Sequence, residues 1–337
     1  MKKKTISIWL MSVAIFMSAI GLWAYMQKDS QPFVFMEGKA LGVFYSISFQ
    51  GDAALEIKLD SIINRVDLAL NTGRPGSEVS YFNRNGYVDF RSPFLHQALL
   101  VSQEYSEKFN GAVNHTLLPL IEAWGQDFSN KRQITPEKIE ELKKLCQPQN
   151  LEISQESLSS KFPGVRINLS YMDKGFLIDL LADYLKGKGV QNFQIEFGTD
   201  AISYGKNPKN NDHRLVVIQP EGTNESKSII TETKLVNRAY SSSGNYEKFY
   251  VDEKGIKHSH LIDPRTGMPI ENKILSAHIK APTCLQADAM ATVCMILTLE
   301  ESIKIITDDP NLEGFIVYND HGLLKTWKSA GFDISKI

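Results

Sequence analysis

The chain has 337 residues, 42% of them hydrophobic and 23% charged, and its formal net charge is -2 at pH 7. This composition is that of a globular protein and excludes an extensively disordered one. The near-neutral charge, with no basic run interleaved with aromatic residues, argues against a nucleic acid partner. We therefore expect a protein that acts on something small.

The N-terminus has the pattern of a membrane anchor. The run from Lys2 to Lys4 precedes an uncharged, mostly apolar stretch that covers residues 5–26. About 20 apolar residues suffice to cross a bilayer as a helix, and the flanking lysines should stay in the cytoplasm. We therefore expect the bulk of the chain on the periplasmic side of a bacterial inner membrane.

A cleaved signal peptide is the alternative interpretation of this segment. The small residues Ser18, Ala19 and Gly21 would permit cleavage. The apolar run nevertheless continues through Trp23 and Tyr25, which favours an uncleaved anchor. The predicted division of the chain is a cytoplasmic stub at 1–4, an anchor at 5–26, a linker at 27–34 and one folded domain at 35–337.

The remaining chain mixes helical and strand patterns. Apolar residues recur at helical spacing from Leu59 to Leu70, and Ser92 followed by Pro93 marks the start of another helix. Further helices are predicted at 135–145, 176–185 and 287–297. Strands are predicted at 43–49, 192–197, 214–218, 248–251, 256–262, 314–318 and 323–327. Since these patterns lack regular βαβ spacing, we predict an α+β fold with a largely antiparallel sheet.

The cysteines indicate neither a disulfide framework nor a zinc site. Cys146, Cys284 and Cys294 are an odd number and form no Cys-x-x-Cys pair. At least one thiol must therefore stay unpaired. Cys294 lies in an apolar helical run, where we expect it to be a small core residue.

Asp288 and Thr292 are the first candidate for chemistry. They lie four residues apart in a predicted helix, so their oxygens project from one face. A carboxylate and a hydroxyl are hard ligands suited to Mg²⁺. The commoner arrangement, a helix-initial Asp with a solvent-facing Thr, is the alternative.

His260 is the second candidate, in the segment Ser259–Gly267. A strand that carries His260 leads into an Asp-Pro-Arg-Thr-Gly turn, from which polar groups could converge. Histidine is the side chain best suited to take a proton near neutral pH. A structural turn with a hydrogen-bonded histidine is the alternative.

Three polar segments complete the set of candidates. Lys174 lies at a predicted helix start, where free backbone N–H groups favour anions. Residues 111–116 form a polar turn, and residues 198–200 follow the end of a strand. Each pattern alone is also compatible with an ordinary loop.

Taken in their order along the chain, these segments resemble the ApbE family of FAD:protein FMN transferases, over residues 35–330. The most specific match is Ser259–Gly267, which resembles the family pattern S-H-x-I-D-P-x-T-G. Asp288–Thr292 resembles its D-A-x-A-T helix. Other matching segments are Lys174–Phe176 with Asp179, and Arg74–Asn83.

The resemblance implies a Mg²⁺-dependent enzyme that transfers the FMN half of FAD to a Ser or Thr hydroxyl of an acceptor protein and releases AMP. It suggests a membrane redox subunit as the acceptor. The implied Mg²⁺ ligands are Asp288, Thr292 and the backbone carbonyl of Tyr171. The implied FAD site is lined by Leu41, Gly73, Asn114, His115, Thr116, Lys174 and Asp200, with His260 as both a lining residue and the base.

The chain departs from the family pattern at several of these positions. Tyr171 and Asp173 stand where the family has small residues. Leu41-Gly42-Val43 replaces a Met-Gly-Thr, and Gly198-Thr199-Asp200 replaces a Gly-Gly-Asp.

Two other functions are compatible with the same site. In a metal-dependent FAD pyrophosphatase, water would replace the acceptor hydroxyl, and a non-catalytic protein would only hold FAD. An NAD-type oxidoreductase is disfavoured, because no G-x-G-x-x-G follows a strand.

Overall fold

The structure is a computed structural model that describes residues 17–18, 31–125, 134–218, 229–245, 249–251, 257–259 and 261–335. The predicted cytoplasmic stub, most of the predicted anchor and His260 lie outside these residues. Within the described ranges, no helix is long and apolar enough to span a membrane.

The elements are defined by the following bounds. The strands are β1 (Phe33–Ala40), β2 (Val43–Gln50), β3 (Tyr87–Asp89), β4 (Leu151–Ile153), β5 (Ser157–Ser160), β6 (Phe193–Phe197), β7 (Asp200–Tyr204), β8 (His213–Ile218), β9 (Ile229–Leu235), β10 (Ala239–Gly244), β11 (Phe249–Val251), β12 (Lys257–Ser259), β13 (Ile262–Asp263), β14 (Met268–Pro269), β15 (Ile274–Ala281), β16 (Glu313–Asp320) and β17 (Leu323–Lys328). The helices are α1 (Leu55–Leu70), α2 (Glu78–Asn85), α3 (Pro93–Lys108), α4 (Leu118–Trp124), α5 (Pro136–Leu145), α6 (Asp173–Gly187), α7 (Cys284–Ile296) and α8 (Leu299–Asp308).

An eight-stranded sheet forms the centre of the fold, in the order β1-β2-β6-β7-β10-β15-β16-β17. Every neighbouring pair in it is antiparallel. Short sheets of two or three strands flank it, including the β8-β9 and β3-β5-β4 sheets. The predicted α+β class with a largely antiparallel sheet is confirmed.

The two faces of the sheet are covered differently. On one face, Ile47 pairs with Ile195 and Phe49 with Phe193, and these side chains belong to the main core, to which α6 and α7 contribute. The opposite face packs in a smaller core with the β8-β9 hairpin and a C-terminal phenylalanine, Phe332. Burial of apolar surface at about 25 cal/mol per Å² is the main term that holds both layers on the sheet.

Sequence patterns missed several elements for identifiable reasons. β15 is buried at nearly every position, so it lacks the alternation that marks a half-buried strand. β1 begins at Phe33, inside the segment predicted as linker. The α8 helix was missed although Thr298 and Glu301 form a capping box, a signal that the sequence does carry.

Candidate functional site at the junction of α6 and α7

The close packing of α6 against α7 positions the site. A Cβ atom at Gly175 would lie 2.5 Å from the Cys284 carbonyl oxygen, so a larger residue would push the helices apart. Asp179 accepts hydrogen bonds from the backbone N–H groups of Cys284 and Leu285 at 2.7 and 2.8 Å. It thereby satisfies free donors in the first turn of α7. Consequently the first turn of α6 lies beside Asp288.

Lys174 is surrounded by three carboxylates. Its Nζ lies 3.3 Å from Asp200 Oδ2, 3.5 Å from Asp288 Oδ2 and 3.8 Å from Asp173 Oδ1. All three aspartates are buried. The backbone N–H of Gly175 also donates to Asp288 Oδ2, at 3.1 Å. The structure therefore brings together Lys174, Asp200 and Asp288, three residues predicted from the sequence to form one site.

The pKa values in this cluster are shifted first by burial and then by the neighbouring charges. Burial raises the pKa of the Asp288 carboxyl well above its usual value, and Asp200 adds to the shift. Burial also raises the pKa of Asp173 to about 6, although Lys174 opposes it. Burial lowers the pKa of the Lys174 ammonium, but attraction to the carboxylates outweighs it and the pKa is raised. A further cation beside the three carboxylates would stabilise their ionised forms.

Asp200 has one satisfied and one unsatisfied oxygen. Its Oδ1 accepts a hydrogen bond from Ser241 on the neighbouring strand β10. Its Oδ2 is buried and, in the part of the chain that the structure describes, has no aligned hydrogen-bond donor. The Lys174 ammonium faces that oxygen without good hydrogen-bond geometry. A carboxylate oxygen can accept more than one partner, so Oδ2 has capacity for a bound group besides the ammonium.

The predicted Mg²⁺ ligands can be tested against the chemistry of their surroundings. Thr292 is half-buried one helical turn after Asp288. Among the described residues, no backbone amide donates to the Tyr171 carbonyl. The Lys174 ammonium also reaches the Ser170 carbonyl at 3.3 Å, which places the turn containing Tyr171 next to Asp288.

These oxygens fit a hard divalent cation. The described residues hold no group of three or more His, Cys, Asp or Glu arranged for a metal. A metal at this place would therefore need carbonyl and hydroxyl oxygens beside a carboxylate. The metal-binding roles of Tyr171, Asp288 and Thr292 stay predictions.

The loop that contains Asn114, His115 and Thr116 is held by its own side chains. Asn114 Oδ1 accepts from the Thr116 backbone N–H and hydroxyl, both at 2.7 Å, and its Nδ2 donates to the Cys146 carbonyl at 2.8 Å. Burial lowers the pKa of His115 to about 4, so its imidazole is neutral at pH 7. The loop therefore presents a fixed and uncharged surface.

A further buried carboxylate, that of Asp67, connects the segments that contain Leu41 and Gly73. Leu41 has a left-handed backbone with φ 49°, and its N–H donates to Asp67 Oδ1 at 2.7 Å. Asn71 donates to the same oxygen at 2.8 Å and accepts from the Gly73 N–H at 2.9 Å. Arg74 pairs with Asp67 Oδ2 at 2.5 Å. Leu41 is thus bonded to Asp67 directly, and Gly73 is connected to it through Asn71.

The Asp263–Gly267 turn is rigid and well anchored. The Asp263 carbonyl accepts from the Gly267 N–H at 2.8 Å, and its carboxylate pairs with Arg265 at 2.8 Å. Trp124 Nε1 donates to the Gly267 carbonyl at 2.8 Å. The turn provides the platform expected from the sequence, whereas His260 itself lies outside the described residues.

Sequence reasoning missed three polar residues around the site: Asp67, Ser102 and Ser241. Asp67 did carry a signal, because it is a charged residue between Ile63 and Leu70 on the apolar face of α1. Ser102 and Ser241 look like ordinary helix and strand serines, and only the fold shows what they contact.

The fold is that of the flavin transferases. The flavin transferase ApbE from Vibrio cholerae superposes with a TM-score of 0.74 at 24% identity, over 89% of this chain and 97% of that one. The apo form of the flavinyl transferase ApbE from Pseudomonas stutzeri also gives 0.74, at 22% identity over 89% and 95% of the two chains. At these identities the likeness establishes the fold alone.

Sequence comparison gives the family. The FAD:protein FMN transferase of Vibrio cholerae is 27% identical over 337 residues, covering 96% of this chain and 97% of the relative. That of Escherichia coli K12 is 27% identical over 315 residues, covering 88% and 87%. The ApbE family model matches residues 41–316, most of the chain. The chain belongs to the ApbE family, as its motifs indicated.

Proposed function

We propose that this enzyme transfers the FMN half of FAD to a Ser or Thr hydroxyl of an acceptor protein, with Mg²⁺ as cofactor and AMP as the other product. Family membership and the names of the relatives support the transfer of FMN to protein. The observation that carries the proposal is the excess of buried carboxylates around Lys174.

In this proposal, Asp288, Thr292 and the Tyr171 carbonyl hold Mg²⁺, and the Lys174 ammonium lies at the dinucleotide phosphates. Bound Mg²⁺ would neutralise charge that builds on the pyrophosphate and the departing AMP. Asp200 Oδ2 keeps Lys174 in place through their ion pair, while Asp200 Oδ1 is held by Ser241. The segments around Leu41, Gly73 and Asn114–Thr116 would line the remainder of the FAD site.

The reaction exchanges the phosphoanhydride bond of FAD for a phosphate ester to the acceptor and needs no redox partner. The acceptor oxygen forms a bond to the phosphorus on the FMN side, and the bond from that phosphorus to the bridging oxygen breaks. The bridging oxygen leaves with AMP. The proton of the acceptor hydroxyl passes to His260, which acts as the general base.

We place the enzyme at the bacterial inner membrane, anchored by residues 5–26, with its site on the periplasmic side. The apolar N-terminal segment after three lysines supports this location. A site on that side would suit an extracytoplasmic domain of a membrane redox subunit as the acceptor.

The test uses the full chain in detergent with FAD, Mg²⁺ and recombinant extracytoplasmic domains of candidate redox subunits. Transfer predicts flavin fluorescence that stays on the acceptor band after denaturing electrophoresis, together with AMP. Free FMN and AMP without labelled acceptor would instead show a pyrophosphatase. Bound FAD without turnover would show a flavin-holding protein, and either result would overturn the proposal.

His260→Ala tests the assigned base. We expect transfer to fall by about 10²–10⁴-fold, the usual contribution of general base catalysis, while the variant still binds FAD. His321→Ala, which removes an exposed imidazole in the β16–β17 turn, is the matched control. Transfer at the parent rate by His260→Ala would show that another group takes the proton.

A further inference from the structure

A buried chain of neutral hydrogen-bonding groups connects the turn before α6 to the 114–116 loop. The Tyr171 hydroxyl lies 2.5 Å from Ser102 Oγ on α3, and Ser102 Oγ lies 2.7 Å from His115 Nδ1. Ser102 is fully buried and His115 is 1% exposed. Buried polar groups of this kind depend on one another for their hydrogen bonds.

The three groups carry no charge at neutral pH. Burial raises the pKa of the Tyr171 phenol, and burial lowers that of His115 to about 4. The connection therefore consists of hydrogen bonds between neutral groups. Ser102 is its centre, because it is the group that contacts both of the others.

The backbone makes a second, parallel connection between the same two segments. The Asn168 N–H donates to the His115 carbonyl at 2.8 Å, and Asn168 Oδ1 accepts from the Ser170 N–H at 2.8 Å. Tyr171 itself lies in a turn in which the Leu169 carbonyl accepts from the N–H groups of Met172 and Asp173, both at 3.0 Å. The Tyr171 hydroxyl adds the side-chain contact that joins this turn to α3. Tyrosine stands here in place of the family's small residue, which could make no such bond.

We infer that Tyr171, Ser102 and His115 form a positioning relay that holds the Tyr171 carbonyl at the metal site and fixes it relative to the 114–116 loop. This inference rests on the proposed function, since it assumes that the Tyr171 carbonyl binds the cation. Ser102 and the Tyr171 hydroxyl are positioning groups, because they act through the carbonyl and loop that they hold.

The experiment measures binding of Mn²⁺, as a probe for Mg²⁺, to the full chain in detergent without FAD, by the electron paramagnetic resonance signal of the free ion. Ser102→Ala and Tyr171→Phe should each weaken Mn²⁺ binding by about tenfold, the low end for removing a group that orients a metal ligand. Because both variants interrupt one relay, the double variant should bind no more weakly than the weaker single variant. Ser102→Thr, which keeps the hydroxyl, should restore affinity.

Ser106→Ala is the matched control, because it removes a buried serine hydroxyl one turn further along α3. Near-ultraviolet circular dichroism checks that each variant is folded at the measuring temperature. If Ser102→Ala does not fold, Tyr171→Phe decides, since it keeps the ring and the Ser102–His115 bond. Parent-like Mn²⁺ affinity in a folded Tyr171→Phe variant would overturn the relay.

The outcome for the parent separates this inference from the proposed function. A parent that binds Mn²⁺ and labels acceptor, with variants that bind Mn²⁺ equally well, refutes the relay alone. A parent that binds no Mn²⁺ refutes the metal-dependent function on which the relay rests. In the supporting case, the Mg²⁺ concentration for half-maximal transfer rises about tenfold, and the rate at saturating Mg²⁺ approaches that of the parent.

Discussion

Two lysines in different parts of the molecule, each beside acidic residues, show how a structural ion pair differs from a candidate ligand site. On the β15 strand, Lys280 Nζ lies 2.5 Å from Asp333 Oδ1 and 3.8 Å from Glu313 Oε2, and 4.5 Å from the centre of the Phe332 ring. Arg238 also pairs with Glu313, at 3.5 Å. Two cations thus face two anions, and the group fastens the C-terminal segment to the sheet.

Lys174 is more exposed than Lys280, with 17% of its side chain accessible against 3%, and it lies among three carboxylates. One cation facing three anions leaves negative charge that no further ion pair of the described residues neutralises. Asp333 accepts hydrogen bonds at both oxygens, from Thr233 and Lys280 at one and from the Lys234 N–H at the other, whereas Asp200 has a buried oxygen without an aligned donor in the described structure. The two groups therefore differ in charge balance and in where they are buried. At Lys280 the charges are balanced and the Asp333 carboxylate is 46% exposed, whereas at Lys174 the carboxylates outnumber the ammonium and are buried.

The largest expected effect is that of Asp288→Asn. Removing this charge should lower transfer by roughly 10²–10³-fold, the scale for losing one group that stabilises charge in the transition state. The variant should stay folded, because asparagine keeps an oxygen for the Gly175 N–H and lowers the excess of negative charge. Transfer rate and thermal unfolding, measured on the same preparation, test both halves of this prediction.

Asp333→Asn is the counterpart at the structural pair. It should leave transfer unchanged and lower the free energy of unfolding by about 1 kcal/mol or less, since its carboxylate is partly exposed. The comparison of the two lysines would fail if Asp333→Asn reduced transfer as strongly as Asp288→Asn.

Gly175→Ala should reduce transfer less than Asp288→Asn does, because it changes the spacing of two helices without removing a charge. The added methyl would meet the Cys284 carbonyl at 2.5 Å, so α6 and α7 must separate, at a cost of about 1–3 kcal/mol in unfolding free energy. Transfer should fall because Lys174 and Asp288 move apart. Gly187→Ala in the same helix meets nothing within 4 Å and should keep parent stability and transfer.

His278→Gln, in the polar network beside the Lys280 pair, should change the pH dependence of the unfolding free energy more than the stability at neutral pH. His278 contacts the Tyr240 hydroxyl at 2.8 Å and Ser276 Oγ at 3.0 Å, and burial lowers its pKa to about 3. The unfolded chain therefore binds this proton between pH 6 and 4 and the folded one does not. The contribution of neutral His278 to the free energy of unfolding is therefore fully present above the pKa of the unfolded chain. It is lost as the pH falls below that value, by up to about 1.4 kcal/mol per pH unit.

The measurement is the free energy of unfolding in denaturant between pH 7 and 4. His278→Gln should make that dependence shallower than in the parent. Asp173 and Asp179 have pKa values raised to about 6, so they contribute a pH dependence of opposite sign to the unfolding free energy. This contribution is the same in parent and variant, and it cancels when the two curves are subtracted. Identical slopes would show that His278 is protonated in the folded state.

Local chemistry in the sequence was enough to predict much of this protein. The Ser92-Pro93 and Thr135-Pro136 pairs indicated where two helices begin, because a proline in the first helical turn already has the helical φ and lacks only an N–H that would have no partner in the helix. The order of the motifs indicated the family, which the comparisons confirm. The same motifs nominated Lys174, Asp200 and Asp288, which do lie together.

Contacts between segments far apart in the chain could not be predicted from the sequence. The Leu41–Asp67 hydrogen bond and the Tyr171–Ser102–His115 relay each join separate elements, and β15, buried on both faces, loses the alternation that marks a strand. Only the tertiary structure places three carboxylates around one ammonium. The physical reason is that residue type and spacing set local conformation, whereas burial, charge balance and unsatisfied hydrogen bonds exist only once the elements have packed.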